Sequence, residues 1–411
     1  MSVHCFSSGP PSFRLRPRRF VVDRRPAVGI AATVLAAVVA LAAGCGVWPT
    51  STGPEPVVVG VDVDLTGRGP GVAYDNALRL VVEQVNERAR AGAGRRIELR
   101  VLDNRGDPAM SAQNLASLAA DPQVVAVVTA GCGACVIEAS GSLALPVIAL
   151  TGEEAVAAPA AERRWVFRLG PNAVDDADAL SAAMAGDGVS TVAVIAAGDA
   201  YGRDGAHWFA VAAARDGLEL TAAVEVPATA DQAALAELAA SVLDRRRRAS
   251  TGDTDGPDAV LLWLPASQAA AVAQALRAAG YHGRFYADMV AADELATPEW
   301  LAGTRLVATP TAVAAERIAA SPAAAARQEW VFAYVSRYGG YQLPSTWAAD
   351  ALLVLADAIE RAGRADRVEV RDHLESTRID GITGPVRFTA EQHSGLAGGL
   401  VILTATGDRW Q

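Results

Sequence analysis

The segment GCGACV, Gly131–Val136, follows the apolar run VVAVVTA and opens a helical pattern, and Glu153 lies about twenty residues further on. That arrangement invites comparison with a dinucleotide fingerprint, a glycine-rich turn at a helix start followed by an acid that holds a ribose. The third glycine is absent, and the segment follows the third strand of its unit instead of the first, so a nicotinamide site is set aside. What remains is a glycine-rich turn whose unpaired backbone N–H groups could seat an anion such as a carboxylate. Cys132 and Cys135 share the turn as C-G-A-C. A disulfide between them is the leading reading for an exported chain, with a redox pair, a two-ligand fragment of a zinc site and two free thiols as the alternatives.

Other chemistry-bearing residues also follow apolar strands. Thr151, Gly152, Glu153 and Glu154 come after LPVIAL, Asp199 and Tyr201 lie in GDAYGRDG after VAVIAA, and Asp288 follows RFY at Arg284–Tyr286. In open parallel sheets, ligands gather at the carboxyl ends of strands. Hydroxyls and N–H groups of one lobe could take a carboxylate, an acid of the other an ammonium, and Tyr201 or Trp263 could wall the side chain. Enzyme signatures are missing: there is no GxSxG, HExxH or GxxxxGK[ST], and His4, His207, His282, His373 and His393 are scattered without metal-ligand spacing. No catalytic residue, metal or cofactor is predicted.

The elements that must position these residues begin behind a leader. Six arginines between Arg14 and Arg25 precede the apolar run Ala27–Leu41, which is short for a membrane span, and Ala42, Ala43 and Gly44 lead into Cys45. This end resembles a bacterial lipobox, with Ala42 where a larger aliphatic residue is commoner. It predicts a signal peptide over 1–44, acylation of Cys45 and a flexible tether over 45–56 that contains TSTGPEP. The alternative is an uncleaved anchor, since Ala27–Gly44 could just span with little tilt. Both readings put the rest of the chain outside the cytoplasm.

The chain has 411 residues, 51% hydrophobic, and a formal charge of −10. The leader holds six arginines against one acid, Asp23, so the exported part is more acidic still, and nucleic acid is excluded as a partner. Its length predicts two lobes. VVVGVDV from Val57, Ile97–Leu102 and Val124–Thr129 read as buried strands alternating with helices, and the pattern resumes after RLGPN at 168–172 with Thr191–Ala196, Leu218–Val226 and Ala259–Leu264. Such alternation predicts parallel sheets covered on both faces. Arg245–Arg248 reads as a helix end running into a solvated loop. The last third is mainly helical, Ala324–Tyr338 and Thr346–Ala362, before GITGPVRF and the strand GLVIL at Gly399–Leu403.

With those segments laid out, the chain resembles the type I periplasmic-binding-protein family, specifically the branched-chain amino acid (Leu/Ile/Val-binding) lipoproteins of ABC importers. The likeness rests on VVVGVDVDLTGRG, LDNRGDPAMSAQNLASL, AGDAYGRDG and GITGPVRF, in that order. It implies an α/β fold of two doubly wound parallel-sheet lobes joined by a three-crossover hinge, with 57–170 and 311–384 in lobe 1 and 171–310 and 385–411 in lobe 2. It further implies that a small polar solute is captured between the lobes and delivered to ABC permease subunits by a monomer tethered through Cys45. Ligand contacts carry over onto Thr66, Cys132, Gly133, Ala134, Thr151, Gly152, Glu153, Tyr201, Trp263 and Asp288. The family's serine is replaced here by Gly133 or Ala134, and Glu153 brings a negative charge into a loop that usually helps hold a carboxylate, so an amide, polyamine or short peptide joins the amino acids as a candidate. A sensory lipoprotein on the same fold and, more remotely, an exported enzyme are the rival functions.

Overall fold

In the computed structural model, residues 55–66, 70–92, 94–170, 172–249, 256–292, 302–316, 319–340, 342–396, 400–406 and 409–410 are described. The predicted signal peptide, Cys45 and most of the predicted tether lie outside them, as do Pro171, residues 250–255 and residues 397–399. The strands are the continuous apolar runs of the sequence. β1 (Val57–Val63), β3 (Val124–Thr129), β4 (Val147–Leu150) and β5 (Val166–Leu169) are almost wholly buried, and β2 (Ile97–Asp103), more exposed, closes one edge. They form one parallel sheet of order β2-β1-β3-β4-β5. Two apolar clusters, one built around Val59, Leu78 and Leu352 and the other around Leu118, Val127 and Leu145, cover its two faces. Strands buried on both faces read as unbroken apolar runs because neither face meets water.

The helices carry the stop and start signals the sequence shows. Asp107 caps Pro108–Ala120 by accepting the Ala109 N–H at 2.8 Å, with Pro108 in the first turn, where its missing N–H costs nothing. Gly60 lets that helix approach β1, because a Cβ there would come within 2.9 Å of Leu118 Cδ2.

A second sheet has the order β14-β13-β10-β9-β8-β6-β7. Its parallel centre is β6 (Thr191–Ala197), β7 (Glu219–Val226), β8 (Ala259–Trp263), β9 (Arg284–Ala287) and β10 (Arg305–Ala308). β13 (Val401–Thr406) pairs antiparallel with β10, and β14 (Arg409–Trp410) antiparallel with β13, so this sheet is mixed at one edge. Apolar clusters cover both of its faces as well. The chain is therefore two α/β lobes in one compact unit, Pro54–Gln411.

Three crossings join the lobes. The first follows β5 and ends at the helix Ala173–Gly186; the second follows β10 and returns through Pro310–Glu316 to the helix Pro322–Tyr338, whose Trp330, Val331 and Tyr334 enter the first-lobe core. The third differs from the boundary at 384/385 that the resemblance implies. Val386 and Phe388, in and just after β12 (Pro385–Arg387), which pairs with β11 (Arg378–Asp380), are buried in the first-lobe core, and Leu396 packs against it, so the first lobe runs on through Leu396. An apolar Phe388 stacked edge-on against Phe167 at 5.0 Å keeps this stretch on the first lobe.

The stretches that lead into crossings one and three run side by side in the first lobe. Arg168 donates its N–H to His393 O at 2.8 Å, and Gly395 donates to Arg168 O at 3.0 Å. The His393 ring stacks on Phe167 at 4.2 Å and its Nδ1 lies 2.9 Å from Val166 O.

Candidate ligand-binding cleft

Loops at the carboxyl ends of β4, β6, β8 and β9 converge on one cleft of about 660 Å³, within the range of small-molecule sites. After β4, Thr151 Oγ1 accepts the Glu153 N–H at 3.2 Å, and Glu154 begins a short 3₁₀ turn. Glu154 is fixed from behind: Arg168 Nη2 lies 2.8 Å from its Oε2, and Ser394 donates its hydroxyl to Oε1 at 2.8 Å. Arg168 is buried, and its Nε reaches Ser394 Oγ at 3.3 Å while Nη1 donates to Thr151 O and Gly170 O at 3.2 and 3.1 Å. Burial pulls its pKa down, and the adjacent Glu154 carboxylate is the first influence to oppose this.

In the second lobe Asp199 caps the helix Ala200–Asp216 through the Gly202 N–H at 2.9 Å, placing Tyr201 in the first turn. Both glycines of GRDG's neighbourhood are needed for close approach. A Cβ on Gly202 would come within 2.0 Å of Ala197 O, and one on Gly205 within 2.0 Å of Trp263 Cε2, so the indole at the end of β8 packs directly on the helix backbone. Tyr201 donates its hydroxyl to Asp288 Oδ2 just after β9. Asn172 caps the helix Ala173–Gly186, accepting the Asp175 N–H at 2.6 Å, and that helix carries Asp176 into the cleft wall. Trp347, from the first turn of the first-lobe helix Ser345–Ala362, closes the opposite side.

The wall is acidic. Glu153, Glu154, Asp176, Asp204 and Asp288 line it, and among the described lining residues none is basic. Asp288 is only 1% exposed; burial pushes its carboxyl up to about 7 against the pull of the Tyr201 hydrogen bond and of the Val290 N–H. Asp176 is raised well above the ordinary carboxylate range, first by burial and then by the charge of Asp288. Burial and the same Asp288 raise Tyr201 well above its ordinary value. Asp176 Oδ1 and Asp288 Oδ1 are buried without a hydrogen-bond partner.

Of the residues predicted from sequence, Thr151, Gly152, Glu153, Tyr201, Trp263 and Asp288 meet in this cleft. Cys132 and Gly133 line a neighbouring recess of about 130 Å³ that shares Thr151 and Glu153 with it. Ala134 lines neither, and Thr66 is exposed, with its N–H on Asp64 Oδ1 at 3.1 Å. The sulfurs of Cys132 and Cys135 are bonded, 2.05 Å apart, and Cys132 Sγ accepts the Cys135 N–H at 3.1 Å. The turn expected to seat an anion faces a carboxylate of the chain itself. A Cβ on Gly133 would meet Glu153 Oε2 at 2.5 Å, so a carboxylate of the chain itself already stands over the glycine. No group of three or more His, Cys, Asp or Glu side chains suited to a metal occurs among the described residues.

Sequence reasoning missed Trp347, Trp208 and Asp176. Asp176 reads as an ordinary first-turn acid, complementing a helix dipole. Trp347 reads as part of an apolar helix face, and only the packing of that helix against the first sheet turns it toward the cleft.

The family model for periplasmic binding proteins matches residues 56–407, and the chain belongs to that family, in its type I form. Three solved structures give the measure of the likeness. An ABC transporter substrate-binding protein from Desulfitobacterium hafniense, in complex with Leu, is 17% identical, with a TM-score of 0.70 over 87% of this chain and 99% of that one. A periplasmic binding protein type 1 from Bordetella pertussis Tohama I is 21% identical, with a TM-score of 0.69 over 87% and 99%. An extracellular ligand-binding receptor from Rhodopseudomonas palustris HaA2 is 20% identical, with a TM-score of 0.71 over 87% and 100%. No curated protein sequence matches the chain. Family membership makes it an extracytoplasmic ligand-binding protein. No helix among the described residues is long and apolar enough to cross a membrane.

Proposed function

We propose that the protein is a solute-binding lipoprotein of an ABC importer, which captures a small polar ligand between its lobes and carries out no chemistry on it. One observation carries this reading: the cleft is walled by Thr151–Ala155 and Trp347 from the first lobe and by Tyr201, Trp263 and Asp288 from the second, at the carboxyl ends of the strands. A ligand touching both walls gains contacts only when the lobes are together, so it favours the closed state. The three joining segments are the place where such a movement has to occur. The structural neighbours from an ABC transporter and from ligand-binding receptors support the same role.

Small-angle X-ray scattering tests capture. Adding a ligand recovered from the purified protein contracts the radius of gyration, and an unchanged scattering profile at saturating ligand contradicts closure. The tether is tested separately. Cys45→Ala removes the thiol that acylation requires and releases the protein from the membrane fraction, whereas retention of an uncleaved variant in that fraction favours the anchor.

A further inference from the structure

The charge lining the cleft disfavours a carboxylate. A zwitterionic amino acid needs a cation or free donors for its carboxylate, and the charges lining the cleft from both lobes are negative. The guanidinium behind Glu154, that of Arg168, is already engaged through Nε, Nη1 and Nη2 with Ser394, two backbone carbonyls and Glu154. The Thr151 N–H is committed to Leu169 O at 3.2 Å; its hydroxyl accepts the Glu153 N–H and keeps its own proton to donate, and the indole N–H groups of Trp263 and Trp347 have no partner, so the cleft offers neutral donors without a cation. Glu153 itself stands over the glycine turn where a carboxylate would otherwise dock. A ligand carboxylate would therefore meet two glutamates with no free cation beside it.

The opposite wall asks for a cation. Asp176 and Asp288 are 4% and 1% exposed, and each keeps one buried oxygen without a partner. Buried polar groups left unpaired are costly, and two neighbouring buried acids add repulsion to that cost. The aromatic rings of Tyr201, Trp208, Trp263 and Trp347 line the same space, and aromatic faces attract an ammonium through their quadrupoles. Glu153, on the first lobe, is exposed to the cleft and has no ion pair among the described residues.

Resting on the solute-capture reading above, we propose that the ligand is an organic diamine-type cation without a carboxylate, one ammonium seated against Asp176 and Asp288 and the other facing Glu153 across the cleft. Such a ligand touches an acid of each lobe, so closure brings the second contact.

Titration calorimetry of the purified protein with putrescine, butylamine and L-leucine tests it. Putrescine binds at least about tenfold more tightly than butylamine, and L-leucine more weakly than either. Asp288→Asn weakens putrescine by about 10- to 100-fold, the loss of one hydrogen bond to a charged group. Glu153→Gln, at an exposed position where folding is not at risk, weakens putrescine similarly and leaves butylamine unchanged. Thermal melts of both variants verify that they fold. Tighter binding of L-leucine than of putrescine, with loss of the leucine signal in Tyr201→Ala, overturns the cation class and leaves solute capture standing. If putrescine binds equally well to wild type and both variants, the site assignment is overturned. If none of the three probes binds the wild-type protein, the diamine class is overturned, and failure to contract with the recovered ligand then decides separately against capture.

Discussion

Ser394, in the first-lobe stretch that leads into the third crossing, donates its hydroxyl to Glu154 on the cleft wall at 2.8 Å. Arg168, in β5 just before the first crossing, holds the other oxygen of the same carboxylate at 2.8 Å. The chain leading into two of the three joining segments is thus tied to one side chain of the ligand site.

Arg168→Ala cuts that tie and leaves Thr151 O and Gly170 O without their donor. Breaking a buried ion pair costs about 3–5 kcal/mol, and the partial exposure of Glu154 lowers this to about 2–4 kcal/mol. Urea unfolding measures it. A loss below about 0.5 kcal/mol would mean that the network contributes little.

Asp350 is the lock of the GITG loop. Its Oδ1 accepts the Ile382 N–H at 2.5 Å and its Oδ2 the Thr383 N–H at 2.8 Å, and a Cβ on Gly381 would press on Oδ1 at 2.4 Å. Thr311, in the second crossing, donates to Ile382 O, so the loop also holds a joining segment. Asp350→Ala leaves two buried N–H groups unpaired and costs about 2–4 kcal/mol. Amide exchange at Ile382 and Thr383 rises with it if the account is right, and stays at wild-type protection if other acceptors serve them.

Gly205→Ala tests the seat of Trp263. The added methyl would overlap the indole, which has to move out of its place in the cleft wall. Overpacking of this kind costs about 1–3 kcal/mol. Ligand affinity falls together with a shift in tryptophan emission; unchanged affinity would show that Trp263 contributes no wall area.

The raised carboxyl of Asp288 makes stability and binding depend on pH in opposite directions. Its folded-state value of about 7 exceeds the unfolded value of about 3.9, so the folded protein holds more protons between them. This contribution to stability is complete below about pH 4 and is lost as pH rises through 7. Asp176 and Asp350, the latter pushed up to about 6, act in the same sense, while His393, lowered by burial, acts in the other. Asp288→Asn isolates the effect. The variant gains on wild type as pH rises from 5 to 8, by about 1–3 kcal/mol, the cost of an uncompensated buried polar group. Putrescine affinity of the wild type rises over the same interval as Asp288 ionises, with Asp176, Asp204, Glu153, Glu154 and Tyr201 the other titratable groups lining the cleft. A flat profile in the wild type would remove Asp288 from the site.

Most of the sheet framework was legible because buried parallel strands such as VVAVVT and AVLLW are unbroken apolar runs, a pattern that needs no tertiary information. The second-lobe edge was harder. GLVIL carries nothing that distinguishes a parallel from an antiparallel partner, and β13 proves antiparallel to β10. Six cleft residues could be named because they lie at or just beyond the ends of apolar strands. Asp176 and Trp347 could not, since each enters the site through the packing of a helix whose local pattern is ordinary. That the Glu153 carboxylate stands over Gly133 was equally hidden, for it depends on where that side chain lies in space.

Native mass spectrometry of the protein purified without unfolding tests the central claim most directly. The account predicts one small solute per chain in the wild type, a primary amine on release, with occupancy lost in both Asp288→Asn and Tyr201→Ala. Full occupancy by the same solute in both variants would contradict it, because the ligand would then sit somewhere other than the cleft that these two residues wall.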